Sequence, residues 1–217
     1  MSNRFLKTHV VRLTAAAACA LATASCGGDL LRSGRGPVIL VVESLQAASG
    51  SDPGTFQTPL LSDVQVLVET DVNGQTVRVP TLFNDLGRAS LRAEMKAQGT
   101  TLNPVAPTAL NAVTITRYRV NFRRADGRNT PGVDVPFGFD GAATATVQPG
   151  GAGEVVFDLV RHTNKLEPPL RNLVGLGGLM FINTIAEITF FGRDQNGNEV
   201  TATAMLDVIF ADFGDEE

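Results

Sequence analysis

The sequence predicts an all-β protein, an antiparallel β-sandwich with few or no helices beyond its N-terminal segment. Apolar and polar residues alternate through most of the chain, which is the period of strands with one buried face. Turn pairs at Asn73-Gly74, Asp126-Gly127, Pro149-Gly150 and Asn196-Gly197 punctuate these runs at the spacing of a sandwich. Both cysteines, Cys19 and Cys26, lie near the start, so the chain beyond them must be held by its hydrophobic core and not by disulfides.

The first residues stand apart from that domain. Arg4, Lys7 and Arg12 form a basic region, Leu13 to Ala24 is a short alanine-rich apolar run, and Ser25-Cys26-Gly27-Gly28 follows. This pattern resembles a bacterial lipoprotein signal peptide, although Thr23 stands where such motifs prefer Leu. The resemblance implies cleavage before Cys26, a covalent lipid on that cysteine, and anchoring by several acyl chains. Plain secretion with cleavage near residue 25 is the alternative, and Cys19 is a weaker lipid site. Gly27 lacks the aspartate that the family associates with inner-membrane retention, which favours the outer membrane and leaves periplasmic or surface exposure open. The expected divisions are 1–25 signal peptide, 26–36 lipid-bearing tether, 37–213 β-sandwich domain and 214–217 acidic tail. Removing Arg4, Lys7 and Arg12 from a formal charge of −4 leaves −7 for residues 26–217, so nothing general argues for nucleic acid as a partner.

Within the domain, the apolar run Val38 to Val42 predicts a first strand, central or facing the sandwich, and Ala47 to Thr58 a loop. Val64, Val66 and Val68 alternate before Asn73-Gly74, and Val77 and Val79 follow. A two-residue type I′ turn there sets Val68 opposite Val79 and Thr70 opposite Val77, keeping one apolar face. Arg88 to Ala97 has the composition of a helix, yet Leu91, Ala93 and Met95 alternate with Arg92, Glu94 and Lys96. Strand is preferred because neighbouring strands offer a ladder, with helix the alternative and Asp85 its cap.

Val113 to Arg124 changes parity midway: Val113 and Ile115 are odd, whereas Tyr118, Val120 and Phe122 are even. A bulge near Thr116-Arg117, or a strand that changes sheets, produces such a switch. Val133, Val135, Phe137 and Phe139 predict an edge strand interrupted by Pro136. Ala143, Ala145 and Val147 are expected to pair with Val155, Phe157 and Leu159 as a hairpin across Pro149 to Gly153. Asn164 to Leu173, with Pro168-Pro169, reads as a crossover holding one helical turn.

The final hairpin is the best specified. Ile188 and Phe190 on one arm, and Ala202 and Ala204 on the other, share a face only if the loop has three residues, Gln195, Asn196 and Gly197. That loop, with Gly197 left-handed in a G1-type bulge, sets Phe190 opposite Ala202 and Ile188 opposite Ala204.

The segment Thr189 to Val200, with its Asp-x-x-Gly-Asn turn, resembles the last two strands of bacterial immunoglobulin-like domains. The run Arg117 to Pro136 is similar to that of exported bacterial proteins of uncharacterised function. The resemblance implies an immunoglobulin-like β-sandwich and transfers no activity. The antibody-type cysteine pair and tryptophan are absent, and Tyr118 is the only tyrosine.

Candidate sites are few. Asp194, Asn196 and Asn198 imitate the start of a calcium loop, but the glycine comes fourth instead of sixth and no Glu stands twelfth. A hairpin turn accounts for the same residues. Asp126, Asp134 and Asp140 lie in separate loops. His162, the one histidine beyond the leader, cannot build a His-rich zinc site, and no Gly-x-Ser-x-Gly elbow accompanies it. Arg117, Tyr118 and Arg119 form a basic, aromatic binding candidate for an envelope protein or a glycan. These observations favour a non-catalytic envelope lipoprotein, a binding or structural module without a cofactor beyond its lipid. The alternative is an exported carboxylate-dependent hydrolase or carbohydrate-processing enzyme using groups such as Asp134 and Asp140.

Overall fold

The computed structural model describes residues 36–97 and 99–213; the leader, Cys26 and the acidic tail lie outside the described residues. Two sheets share one core. The smaller contains β1 (Val38–Ala48), β5 (Asp85–Met95) and β10 (Ala152–Val160), in the order β1-β5-β10. The larger contains β2 (Leu60–Asp63), β8 (Val113–Arg123), β9 (Phe139–Val147), β11 (Phe181–Asp194) and β12 (Glu199–Ala211), in the order β2-β12-β11-β8-β9. All pairings in these two sheets are antiparallel except β2 with β12, which is parallel. The domain is therefore predominantly β.

β5 settles the helix-or-strand ambiguity in favour of the strand. Ala89, Leu91 and Ala93 are fully buried, while Arg88, Ser90, Arg92 and Glu94 alternate with them at the outer face. Hydrogen bonding from β1 on one side and β10 on the other supplies the ladder that overrides helix propensity. β1 itself is an edge strand: Val38 and Leu40 point inward, whereas Ile39 and Val41 are exposed. Its uninterrupted apolar run therefore does not mark a central strand.

The β11–β12 hairpin has the anticipated register, with Phe190 opposite Ala202 and Ile188 opposite Ala204. Gly197 N–H donates to Asp194 O at 3.0 Å, Asp194 N–H donates to Asn198 O at 3.0 Å, and Gly197 has φ +82°. Those bonds define a three-residue loop with a left-handed glycine. The parity change in β8 is a bulge at Thr116: Phe191 pairs with Arg117 and Gly192 with Ile115, so Thr116 is the extra residue.

Two expectations are corrected. β9 and β10 do not form a hairpin; β9 pairs with β8, and β10 pairs with β5. The connection between them is an arch whose Gly150 N–H donates to Ala93 O at 2.8 Å, which ties the loop to β5. Val147 and Val155 are both buried, each projecting into the core from its own sheet. Residues 133–138 form no named strand either. Thr130 O gathers the N–H groups of Val133, Asp134 and Val135, and Pro131 and Pro136 have no N–H to give a ladder. Only Val135 of the three apolar residues turns inward, while Val133 and Phe137 are 68% and 46% exposed.

The Asn73-Gly74 hairpin, β3 (Val66–Val72) and β4 (Gln75–Thr81), has the expected register and positive φ at both turn residues. It forms a separate two-stranded sheet whose apolar face stays uncovered, with Val77 and Val79 43% and 41% exposed. A short ribbon, β6 (Gly99–Thr100) and β7 (Asn103–Pro104), lies between β5 and β8 in sequence. The crossover after β10 carries the expected helical turn, α1 (His162–Lys165), followed by a 3-10 turn at Leu170–Leu173.

Aromatic rings join the sheets. Phe157 of β10 lies 4.9 Å from Tyr118 of β8 and 5.3 Å from Phe190 of β11, centroid to centroid. Each of the first two rings covers a glycine on the adjoining strand, Gly87 beneath Phe157 and Gly141 beneath Tyr118. A Cβ at either glycine would lie 2.4 Å or less from the ring, so the flat packing depends on the missing side chain.

Candidate functional site

The bulge at Thr116 decides what β8 presents to solvent. Beyond it, Tyr118, Val120 and Phe122 point into the core, which turns Arg117, Arg119 and Arg123 outward. Tyr118 is only 2% exposed, and burial is the chief cause that raises the pKa of its phenol above the ordinary value. The expected Arg117, Tyr118 and Arg119 trio is therefore corrected to two arginines outside and a core tyrosine behind them. The outer pair is tied down by Asp140 on β9, directly across the ladder from Arg119. Arg119 donates to both carboxylate oxygens at 2.8 and 2.9 Å, and Arg117 lies 3.7 Å away. The Arg119 guanidinium holds the Asp140 carboxyl below its usual range. Arg117 also stacks on Phe191, 3.7 Å from the ring centroid, at a depression of about 180 Å³ that Arg193, Glu199 and Thr201 complete.

The other acidic candidates go separate ways. Asp126 bridges Arg124 and Arg128, each at 2.8 Å, and hydrogen bonds from both arginines hold its carboxyl far below the ordinary range. Asp134 accepts from Thr130 N–H at 3.2 Å. Asp134 and Asp140 thus serve different partners, a turn amide and an arginine pair. His162 begins the crossover turn, where its Nδ1 and backbone N–H both meet Asn84 Oδ1, at 2.9 and 2.7 Å.

Asp194 works as the internal clasp of its turn. Oδ1 accepts from the backbone N–H groups of Asn196 and Asn198, and Oδ2 accepts from the Asn198 side-chain amide at 2.8 Å. The residues named as weak calcium candidates, Asp194, Asn196 and Asn198, are therefore brought together by their own hydrogen bonds. Among the described residues no group of three or more His, Cys, Asp or Glu side chains is arranged to hold a metal ion.

The most unusual chemistry lies inside the domain and escaped the sequence reading. Asp85, the first residue of β5, is fully buried, and so is Ser62 of β2; Lys165 of α1 is 2% exposed. Asp85 Oδ1 accepts from Lys165 Nζ at 2.9 Å and from Gly50 N–H at 2.8 Å, while Oδ2 accepts from Ser62 Oγ at 2.5 Å. One carboxylate therefore fastens four parts of the chain: both sheets, the loop after β1 and the crossover. Burial is the largest influence on Asp85 and raises its pKa, with Lys165 the strongest opposing one. A signal for Asp85 was present: it shares odd parity with the inward residues Ala89, Leu91 and Ala93. Lys165 had none, because the crossover has no period to mark its buried face.

No helix among the described residues is long and apolar enough to cross a membrane. Comparison with protein-family models, with curated proteins and with solved structures finds no match to this chain.

Proposed function

We propose that the chain is a bacterial envelope lipoprotein whose immunoglobulin-like domain is a non-catalytic binding or structural module, held at the outer membrane by lipid on Cys26. The observation that carries this reading is the leader, a basic region and a short apolar run ending at Ser25-Cys26. The described chain enters at Gly36, where a Cβ would lie 3.0 Å from the Asn198 side chain and 3.3 Å from Asp194 Oδ2, beside the end of β11 and its turn. The first residue of β11 lies at the other end, about 45 Å away at the usual rise per strand residue. There Leu179, Met180 and Phe181 are 88%, 60% and 66% exposed. A tether running from Cys26 to Gly36 reaches at most about 35 Å when fully extended, short of the far end. The far end is left open to the envelope space.

The side of the sheet bearing Arg117, Phe191 and Arg119 is the proposed contact surface for an envelope protein or glycan. Stacked and paired arginines present a fixed pattern of donors with little side-chain freedom left to lose on binding. The separate partners of Asp126, Asp134 and Asp140 support a module without a catalytic carboxylate pair.

The test is membrane fractionation of the full chain beside Cys26→Ala, with intact-mass analysis of the detergent extract. Wild type is expected in the membrane fraction, lacking residues 1–25 and carrying acyl chains, and the variant is expected free of lipid. A soluble wild-type protein without lipid overturns the anchored reading.

A further inference from the structure

We propose that Lys165 and Asp85 become joined by an intramolecular amide bond, formed by the folded domain from its own buried amine and carboxylate. The inference is independent of the lipid anchor and rests on the arrangement around one carboxyl carbon. Three of the groups an acyl condensation uses are already in place: a nucleophile, a donor for the oxygen that stays and a donor for the oxygen that leaves.

Lys165 Nζ is the nucleophile, 2.9 Å from Oδ1. Gly50 N–H, 2.8 Å from the same oxygen, stabilises the charge that gathers there as the carbon becomes tetrahedral. Ser62 Oγ, 2.5 Å from Oδ2, supplies a proton to the oxygen that departs. Gly50 owes its position to its missing side chain, since a Cβ would meet Phe83 Cβ at 2.3 Å and Asn84 O at 2.4 Å. No larger residue brings its N–H to Asp85 along this path without moving the backbone.

The step balances without an added reagent. The Lys165 ammonium sheds two protons, Nζ forms a bond to Asp85 Cγ, the Cγ–Oδ2 bond breaks, and Oδ2 leaves as water carrying both protons. Ser62 holds the departing oxygen by its hydrogen bond. Neither carbon nor nitrogen changes oxidation state. In water, charge separation opposes this condensation, because the ammonium and carboxylate are each well solvated. Here Asp85 and Lys165 are shut away from solvent, so that solvation is lost, and burial moves Asp85 toward its neutral acid. Fixed proximity is equivalent to an effective concentration on the order of 10⁵–10⁸ M. The bond would close a loop spanning 80 positions in a domain whose sequence beyond Cys26 contains no thiol. It would serve as the covalent staple that disulfides provide in other exported proteins.

Tryptic digestion of the purified wild-type protein followed by tandem mass spectrometry tests this directly. The expected product is segment 79–88 joined to segment 162–171, lighter than their sum by one water, with no cleavage after Lys165. Lys165→Arg retains the charge, lacks the nucleophilic amine and is expected to release 79–88 unlinked. Recovery of unmodified 79–88 from wild type in full yield, together with cleavage after Lys165, overturns the proposal. The wild-type digest decides the matter even if the variant fails to fold.

Discussion

Replacing Lys165 with Met keeps most of the side-chain volume and removes the amine, leaving Asp85 with Ser62 and Gly50 as its partners. A buried carboxylate then faces a choice between remaining charged without its counter-ion and taking up a proton. Breaking a buried pair from one side costs about 3–5 kcal/mol. The proton route sets a ceiling: from an unfolded value near 3.9, holding the acid neutral at pH 7 costs roughly 1.4 kcal/mol per unit, or about 4 kcal/mol. For an ion pair the expected loss at pH 7 is therefore about 3–4 kcal/mol, and an amide in wild type would add about 4–5 kcal/mol of loop-closure constraint. The sign of its pH dependence follows from the raised pKa of Asp85, for which burial is the first cause. A carboxyl whose folded pKa exceeds its unfolded one binds more protons when folded, so the folded state gains as pH falls toward the unfolded value. Removing the lysine removes the main influence that opposed that rise. Urea unfolding of Lys165→Met at pH 7, 6 and 5 should show the deficit shrinking by up to about 1.4 kcal/mol per unit. Wild type, in which Lys165 opposes the rise, should show a shallower slope of the same sign if the two groups meet as an ion pair, and none at this site if they are joined as an amide. A deficit below about 1 kcal/mol at pH 7, or one that stays constant down to pH 5, would refute a dry, proton-seeking Asp85.

Gly141→Ala should lower stability by about 1–3 kcal/mol in thermal or urea unfolding, because its methyl would lie 2.3 Å from the Tyr118 ring. Deleting Thr116 removes the bulge and forces either Val113 and Ile115 or Tyr118, Val120 and Phe122 out of the core; limited proteolysis should show loss of the protected domain. Changing Val77 and Val79 together to Ser should leave the unfolding midpoint nearly unchanged, within roughly 0.5 kcal/mol per site, since both are already exposed in the isolated hairpin. A large loss in that last case would show that the hairpin is packed against something in the folded protein.

The contrast between β8 and β9 shows what a single sequence reveals. In β8 the shift from odd Val113 and Ile115 to even Tyr118, Val120 and Phe122 marked the bulge, because a one-residue insertion is the least disruptive way to keep both sets buried. The same parity already assigned Tyr118 to the core side, so grouping it with Arg117 and Arg119 on one binding surface contradicted the period itself. In β9 and β10 the period was read correctly for burial and wrongly for pairing. Val147, Val155, Phe157 and Leu159 point inward whether the two runs form one hairpin or face each other from two sheets. The deciding interaction is a loop amide, Gly150 to Ala93 O, between residues far apart in sequence.

The buried network follows the same division. Asp85 sits on a strand, where alternation assigns it a face: a carboxylate at an inward position must find partners or give up its charge. Lys165 sits on one turn of helix beside Pro168-Pro169, too short for a 3.6-residue period to indicate a direction. Ser62 belongs to a strand of four residues whose neighbour, β12, is the last in the chain. Sequence parity therefore poses the chemical problem at Asp85, and the fold supplies its solution from elements about 20 and 80 residues away, which only the closing of the two sheets brings together. The carboxylate meets its serine, its lysine and the Gly50 amide only where β2, the loop after β1 and the crossover come together at the start of β5, so any chemistry among them is a property of the folded domain and not of its parts.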